Sequence, residues 1–175
     1  MGKEWAAEFE TGRHFLARIA SADLLEAVAE FCRRHAILAA TFRIAGTVSR
    51  FTIGVYDPTQ QVYVTHAEES PREVAACSGT VSARNGNPVP AAHIVLADAN
   101  GRITGGKLFS ETRVIWAELV LRELIGPAPN RRYDEKTGLE LWDAADSGES
   151  AGANFPDLAG LDADAGGDPR EESPE

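Results

Sequence analysis

The run His93-Ile94-Val95-Leu96-Ala97-Asp98-Ala99-Asn100-Gly101-Arg102-Ile103-Thr104-Gly105-Gly106-Lys107-Leu108-Phe109 reads as two strands joined by a tight turn. Its arms are rich in β-branched and apolar side chains, which suit a pleated, half-buried surface. Asn100-Gly101 adopts positive φ at little cost, as a hairpin requires. Gly105-Gly106 weakens the return strand, so the pair predicts a bulge or the close approach of another backbone. Upstream, Ser78–Ala83 ends at Arg84-Asn85-Gly86-Asn87, a second turn of the same kind. Further out, Thr41–Ala45, Thr47–Tyr56 and Val62–His66 read as strands, with Asp57-Pro58 turning between the last two. His14–Ala20 alternates as a first strand. Between them, Asp23 and Glu26 form a capping pair. Leu24, Val28, Phe31 and His35 recur at helical spacing, opposite Glu26, Glu30, Arg33 and Arg34, so a helix is predicted over 23–35. Val114–Glu123 fits helix or strand by pattern alone. One helix and then hairpin-linked strands predict the α+β class with a largely antiparallel sheet.

The chain has 175 residues, enough for one domain and some excess. Its 43% hydrophobic and 25% charged fractions are those of an ordinary globular protein, so composition alone selects no activity. No apolar run reaches the length of a membrane helix. Met1–Ala6 carries neither an apolar signal stretch nor a Ser or Thr at position 6, so a cytoplasmic protein without a membrane partner is expected. Cys32 and Cys77 cannot build a disulfide framework. Cys32 lies beside the apolar stripe of the helix, where a buried, inert thiol is expected.

The net charge of −10 is unevenly placed. Residues 1–126 hold 13 Lys+Arg and 14 Asp+Glu, whereas residues 127–175 hold 4 and 13. Large apolar residues are sparse in that last stretch, too few to offset about 1–2 kcal/mol of backbone entropy per residue. The division expected is a domain over 13–125 and an acidic, largely disordered tail over 126–175, with disorder placed at roughly 144–175. The tail reads either as a solubilising end or, through the islands Leu139–Trp142 and Asn154–Leu161, as a segment that docks on a partner.

The series Arg18, Asp23-Leu24-Leu25-Glu26, Ile44-Ala45-Gly46, Tyr56-Asp57-Pro58, Cys77-Ser78-Gly79, Pro88–His93 and Gly101–Leu108 resembles the plants-and-prokaryotes-conserved (PPC) domain over about 13–125. The resemblance implies that Val114–Glu123 is a strand. It also implies an α+β domain, a mixed and largely antiparallel sheet flanked by helices, assembled as a homotrimer. Two family uses compete. Some members carry an AT-hook and act in gene regulation. Others carry a His-x-His pair and a later Gly-Gly-His resembling a metal site, and related folds include a zinc decarboxylase.

The metal pattern falls on Ala91-Ala92-His93 and Gly105-Gly106-Lys107, so one of three ligands survives. Zinc needs three or four lone-pair donors. Lys107 carries a proton where the lone pair should be, and removing it at pH 7 costs about 4–5 kcal/mol. No metal or other cofactor is therefore expected, and no catalytic residue is assigned. His93 reads either as an ordinary partly buried histidine or as part of a degenerate pocket. In that pocket His93, Lys107 and the Gly105-Gly106 backbone hold a small anion, with Arg18 as a further candidate. No AT-hook is present. Arg33, Arg34, Arg43 and Arg50 are the candidate nucleic-acid contacts, against an acidic whole. The expected function is a non-enzymatic trimeric scaffold or small-ligand module, with gene regulation as one setting. The alternatives are a DNA-associated regulator and an enzyme with a decayed metal site.

Overall fold

The computed structural model describes residues 6–143. The elements run β1 (Glu10–Ala20), α1 (Leu24–Arg34), β2 (Ala40–Asp57), β3 (Val62–Glu68), β4 (Arg72–Arg84), β5 (Asn87–Ala97), β6 (Ile103–Leu108), β7 (Arg113–Ile125), β8 (Asn130–Asp134) and β9 (Leu139–Asp143). Helix α1 begins where expected, because the Asp23 carboxylate accepts the Glu26 N–H at 3.0 Å. Val114–Glu123 lies within β7, a strand. Asn85 and Gly86 both take positive φ, 50° and 75°, and turn β4 tightly into β5.

The expected class is corrected. Among the described residues the strands form one sheet, every ladder is antiparallel except a single β4–β8 bridge, and α1 is the one helix. No set of helices flanks the sheet. The reason lies in the pattern: residues 23–35 carry a helical apolar period, and the ambiguous segment Val114–Glu123 pairs as a strand with β1 and β2.

Strand β2 organises the sheet. Its first half lies between β7 and β4, and its second half between β3 and β6. The ladders β2–β4, β4–β5, β5–β6 and β6–β2 therefore close on themselves. The two glycines of β6 permit this closure. A Cβ on Gly105 would stand 2.6 Å from the Ile94 carbonyl oxygen, and one on Gly106 would stand 2.6 Å from that of Gly54.

Alternation sends one face of each strand inward. Phe42, Ile44, Ile94, Leu96, Leu119 and Leu121 are buried there with Leu24, Val28 and Cys32 of α1. Each such large side chain contributes about 1.5–3 kcal/mol through apolar burial. Glu123 is buried on the same side, and Arg13 satisfies it with a two-pronged pair at 2.7 and 2.8 Å. That contact holds the carboxyl below its ordinary value and ties β1 to β7.

Residues 130–143, assigned by composition to the acidic tail, pair as the β8–β9 hairpin. The Ala83 N–H donates to the Pro129 carbonyl, Gln61 donates to that of Lys136 at 2.6 Å, and the Tyr56 hydroxyl to that of Thr137. The disorder placed at 144–175 and the island Asn154–Leu161 lie outside the described residues. No helix among the described residues is long and apolar enough to cross a membrane.

A cationic cleft between the sheet and the C-terminal hairpin

The outward-facing residues assemble into rows across the strands. Val120 of β7 pairs with Arg43 of β2, Arg43 with Ser78 of β4, Ser78 with His93 of β5, and His93 with Lys107 of β6. A second row, two residues along each strand, runs Arg122, Thr41, Thr80, Ala91. The period of two places both rows on one face. The β8–β9 hairpin and Tyr63 of β3 rise beside them, and together they enclose a cleft of about 780 Å³.

Five basic or imidazole side chains line this space: Arg43, His93, Lys107, Arg122 and Arg131. No ion pair engages Lys107, Arg43, Arg122 or Arg131 among the described residues. Lys107 instead places its ammonium 4.3 Å from the centre of the Tyr63 ring and 5.5 Å from that of Phe109. Arg131 lies 5.4 Å from the centre of the Trp142 ring. Its Nε donates to Ser82 Oγ at 3.0 Å, and its terminal nitrogens donate to the Glu140 carbonyl at 3.0 Å and to Thr80 Oγ1 at 3.4 Å. Ser82 belongs to the outward set of β4 yet is fully buried, because the hairpin covers it.

Burial pushes the Lys107 ammonium below its ordinary pKa, the Arg131 charge lowers it further, and Glu140 opposes both. Burial likewise lowers Arg131, with Glu140 raising it and Arg84 lowering it. The Tyr63 phenol moves upward, chiefly through burial. The lone acid lining the cleft is Glu140, and its carboxylate pairs with Arg84. The cleft therefore gathers positive charge within an acidic protein, with Lys107 and Arg131 partly shielded from water and Arg43, His93 and Arg122 exposed.

His93 and Lys107 stand side by side in the cleft. Gly105 and Gly106 do not line it; they position Lys107 by letting β6 approach its neighbours. Arg18 stands opposite Glu118 in the β1–β7 register and does not line the cleft. Arg43, named as a nucleic-acid contact, belongs to the cleft floor. Arg33 pairs with Glu26 and Glu30 at 2.5 and 3.0 Å, and Arg34 reaches Glu30 at 4.0 Å. Arg50 pairs with Glu69 and Glu111. Arg131 and Arg122 escaped the sequence reading, since nothing local marks a residue that a distant strand brings over a sheet face.

A closed, almost wholly antiparallel sheet packed against one amphipathic helix, with a cationic cleft on its outer face, defines a small β-rich domain among the described residues. The chain belongs to the Plants and Prokaryotes Conserved (PCC) domain family, whose profile matches residues 6–125. It is similar to a metal-containing protein from Archaeoglobus fulgidus, with 36% identity and a TM-score of 0.75 over 79% of this chain and 99% of that one. A plant- and prokaryote-conserved protein from Pyrococcus horikoshii is 30% identical, with a TM-score of 0.75 over 80% and 97% of the two chains. A protein from Bacteroides thetaiotaomicron, provisionally described as DNA-binding, shares the fold at 19% identity and a TM-score of 0.68, over 77% and 96%. Comparison with the curated proteins finds no match.

The residues present do not fit a divalent cation. The register neighbours of His93 are Ser78 and Lys107, and Ala91 stands two residues before it. Among the described residues no three His, Cys, Asp or Glu side chains converge to hold a metal. An ammonium held over an aromatic ring repels a cation where the third donor is needed.

Proposed function

We propose that this chain is a non-enzymatic PCC-domain module that assembles as a homotrimer and binds a small anion in the cleft. The observation that carries the reading is the row Arg43–Ser78–His93–Lys107, basic and hydroxyl-bearing, in which Lys107 is partly buried and no carboxylate pairs with the cations among the described residues. Desolvated cations lacking a counter-charge are unfavourable, and an anion relieves the cost. The cleft volume is in the range that holds small organic ligands. Assembly is supported by Leu16, 86% exposed, and its partner Val120, 49% exposed, which form an apolar spot beside the cleft. DNA association is less well supported, because Arg33, Arg34 and Arg50 already face carboxylates and Arg43 is turned to the cleft.

Isothermal titration of the full chain with sulfate, inorganic phosphate and small carboxylates tests the reading. At least one anion binds, and Lys107→Gln abolishes the heat while leaving the melting temperature of the unliganded protein nearly unchanged. Absence of binding by the whole panel refutes the anion reading. Light scattering tests the assembly: a mass of three 18.8 kDa chains is expected, and a monomer overturns it.

A further inference from the structure

Resting on the anion reading above, we infer that Arg131 on the β8–β9 hairpin is the second clamp of the site, and that the ligand is a phosphate monoester whose binding fastens the hairpin to the sheet. The donors come from opposite sides. Lys107, His93 and Ser78 rise from the sheet, and Arg131 reaches over from the hairpin. A tetrahedral oxyanion accepts hydrogen bonds from several directions at once, whereas a planar carboxylate is best served in its own plane. Arg131 is held rather than saturated: three of the five N–H groups of a guanidinium are taken, leaving two for a ligand.

A free phosphate leaves most of a cleft of about 780 Å³ empty. Part of the remaining wall is apolar, formed by Val120, Leu139, Leu141 and Trp142, and suits an organic body attached to the phosphoryl group. The hairpin is also the element whose docking a ligand can change. A two-stranded ribbon has marginal stability by itself. This one is joined to the rest by a single β4–β8 bridge, the Ala83–Pro129 backbone hydrogen bond, polar contacts from Tyr56, Gln61 and Arg84, and the bonds of Arg131 itself to Ser82 and Thr80. An anion bridging Lys107 and Arg131 adds a contact across the gap between them.

The test uses the full chain with inorganic phosphate, phenyl phosphate and benzoate as probes. Calorimetry gives affinity, and amide hydrogen exchange over residues 130–143 reads the hairpin. Phenyl phosphate binds at least tenfold more tightly than inorganic phosphate or benzoate, and it slows exchange in the hairpin. Arg131→Gln weakens phenyl phosphate by roughly ten- to a hundredfold, the range of one charge-assisted hydrogen bond, and removes the added protection. Arg131→Lys, which keeps the charge and loses the fork, recovers part of the affinity. Binding that is equal in wild type and Arg131→Gln, or that leaves hairpin exchange unchanged, overturns the clamp and leaves the anion reading standing. A preference for benzoate overturns the phosphate assignment. No binding of any probe to wild type removes both readings.

Discussion

Single residues carry the chemistry, and they were unequally legible. His93 and Lys107 were found because they fall on positions of a recognisable motif, and strand register then places them side by side. Arg131 had no such signal; its role follows from a hairpin folding over residues some fifty positions away. Lys107 yields a pH prediction. It faces Arg43 from β2, Tyr63 from β3, His93 from β5, Arg131 from β8 and Glu140 from β9. Its pKa is depressed by burial and by the Arg131 charge, so its charge is lost at lower pH than that of an ordinary lysine, which titrates near 10.5. A bound anion raises that pKa again. Anion affinity therefore falls as pH climbs from neutrality, before an ordinary lysine would titrate. In Lys107→Arg the fall moves to higher pH, as calorimetry at several pH values will show. The thiols give a second prediction. Burial raises Cys32 to about 11 and Cys77 to about 12, so neither is a thiolate at neutral pH. Ellman's reagent labels neither in the native protein and both after denaturation.

At the scale of elements, strands and turns were read well where periodicity is local. Asn85-Gly86 and the capping Asp23 are properties of neighbouring residues, whereas Val114–Glu123 fits helix or strand by pattern alone and only the family resemblance implies the strand β7. Two further features were not readable in this way. Strand β2 continues through Gly46, where sequence broke it in two, because the β4 ladder shifts register there and the chain runs on. The β8–β9 hairpin lacks a continuous apolar face, and distant side chains anchor it. The Gly105-Gly106 pair predicts a bulge or a close approach, and the structure supplies the partner backbones of the second. Gly106→Ala brings a Cβ within 2.6 Å of the Gly54 carbonyl oxygen, a fixed backbone atom that cannot rotate aside. The substitution destabilises by about 1–3 kcal/mol, the usual cost of overpacking, and lowers the melting temperature by ~2–4 °C per kcal/mol. Because Lys107 is the next residue, anion affinity falls too. A thermal shift without loss of affinity would show that the β6 closure does not position Lys107.

At the scale of the whole molecule, charge is segregated. Residues 144–175 hold nine Asp or Glu and one Arg, and they follow directly on β9, whose residues line a cationic cleft. An anionic ligand approaching that cleft meets a long-range field of its own sign, and trimer formation would multiply it. Salt decides how far the field reaches: about 30 Å at 0.01 M, and about 8 Å at physiological ionic strength. Replacing the nine tail acids by their amides in the full chain therefore raises anion affinity severalfold in 0.01 M salt. Much of the gain appears in the association rate, where steering acts. In 0.3 M salt the two proteins bind alike, because the contacts inside the cleft are unchanged. Calorimetry and stopped-flow mixing at the two salt concentrations measure both effects. A gain that persists undiminished in 0.3 M salt contradicts a screened field and requires a tail carboxylate to compete for Lys107 or Arg131 at contact distance.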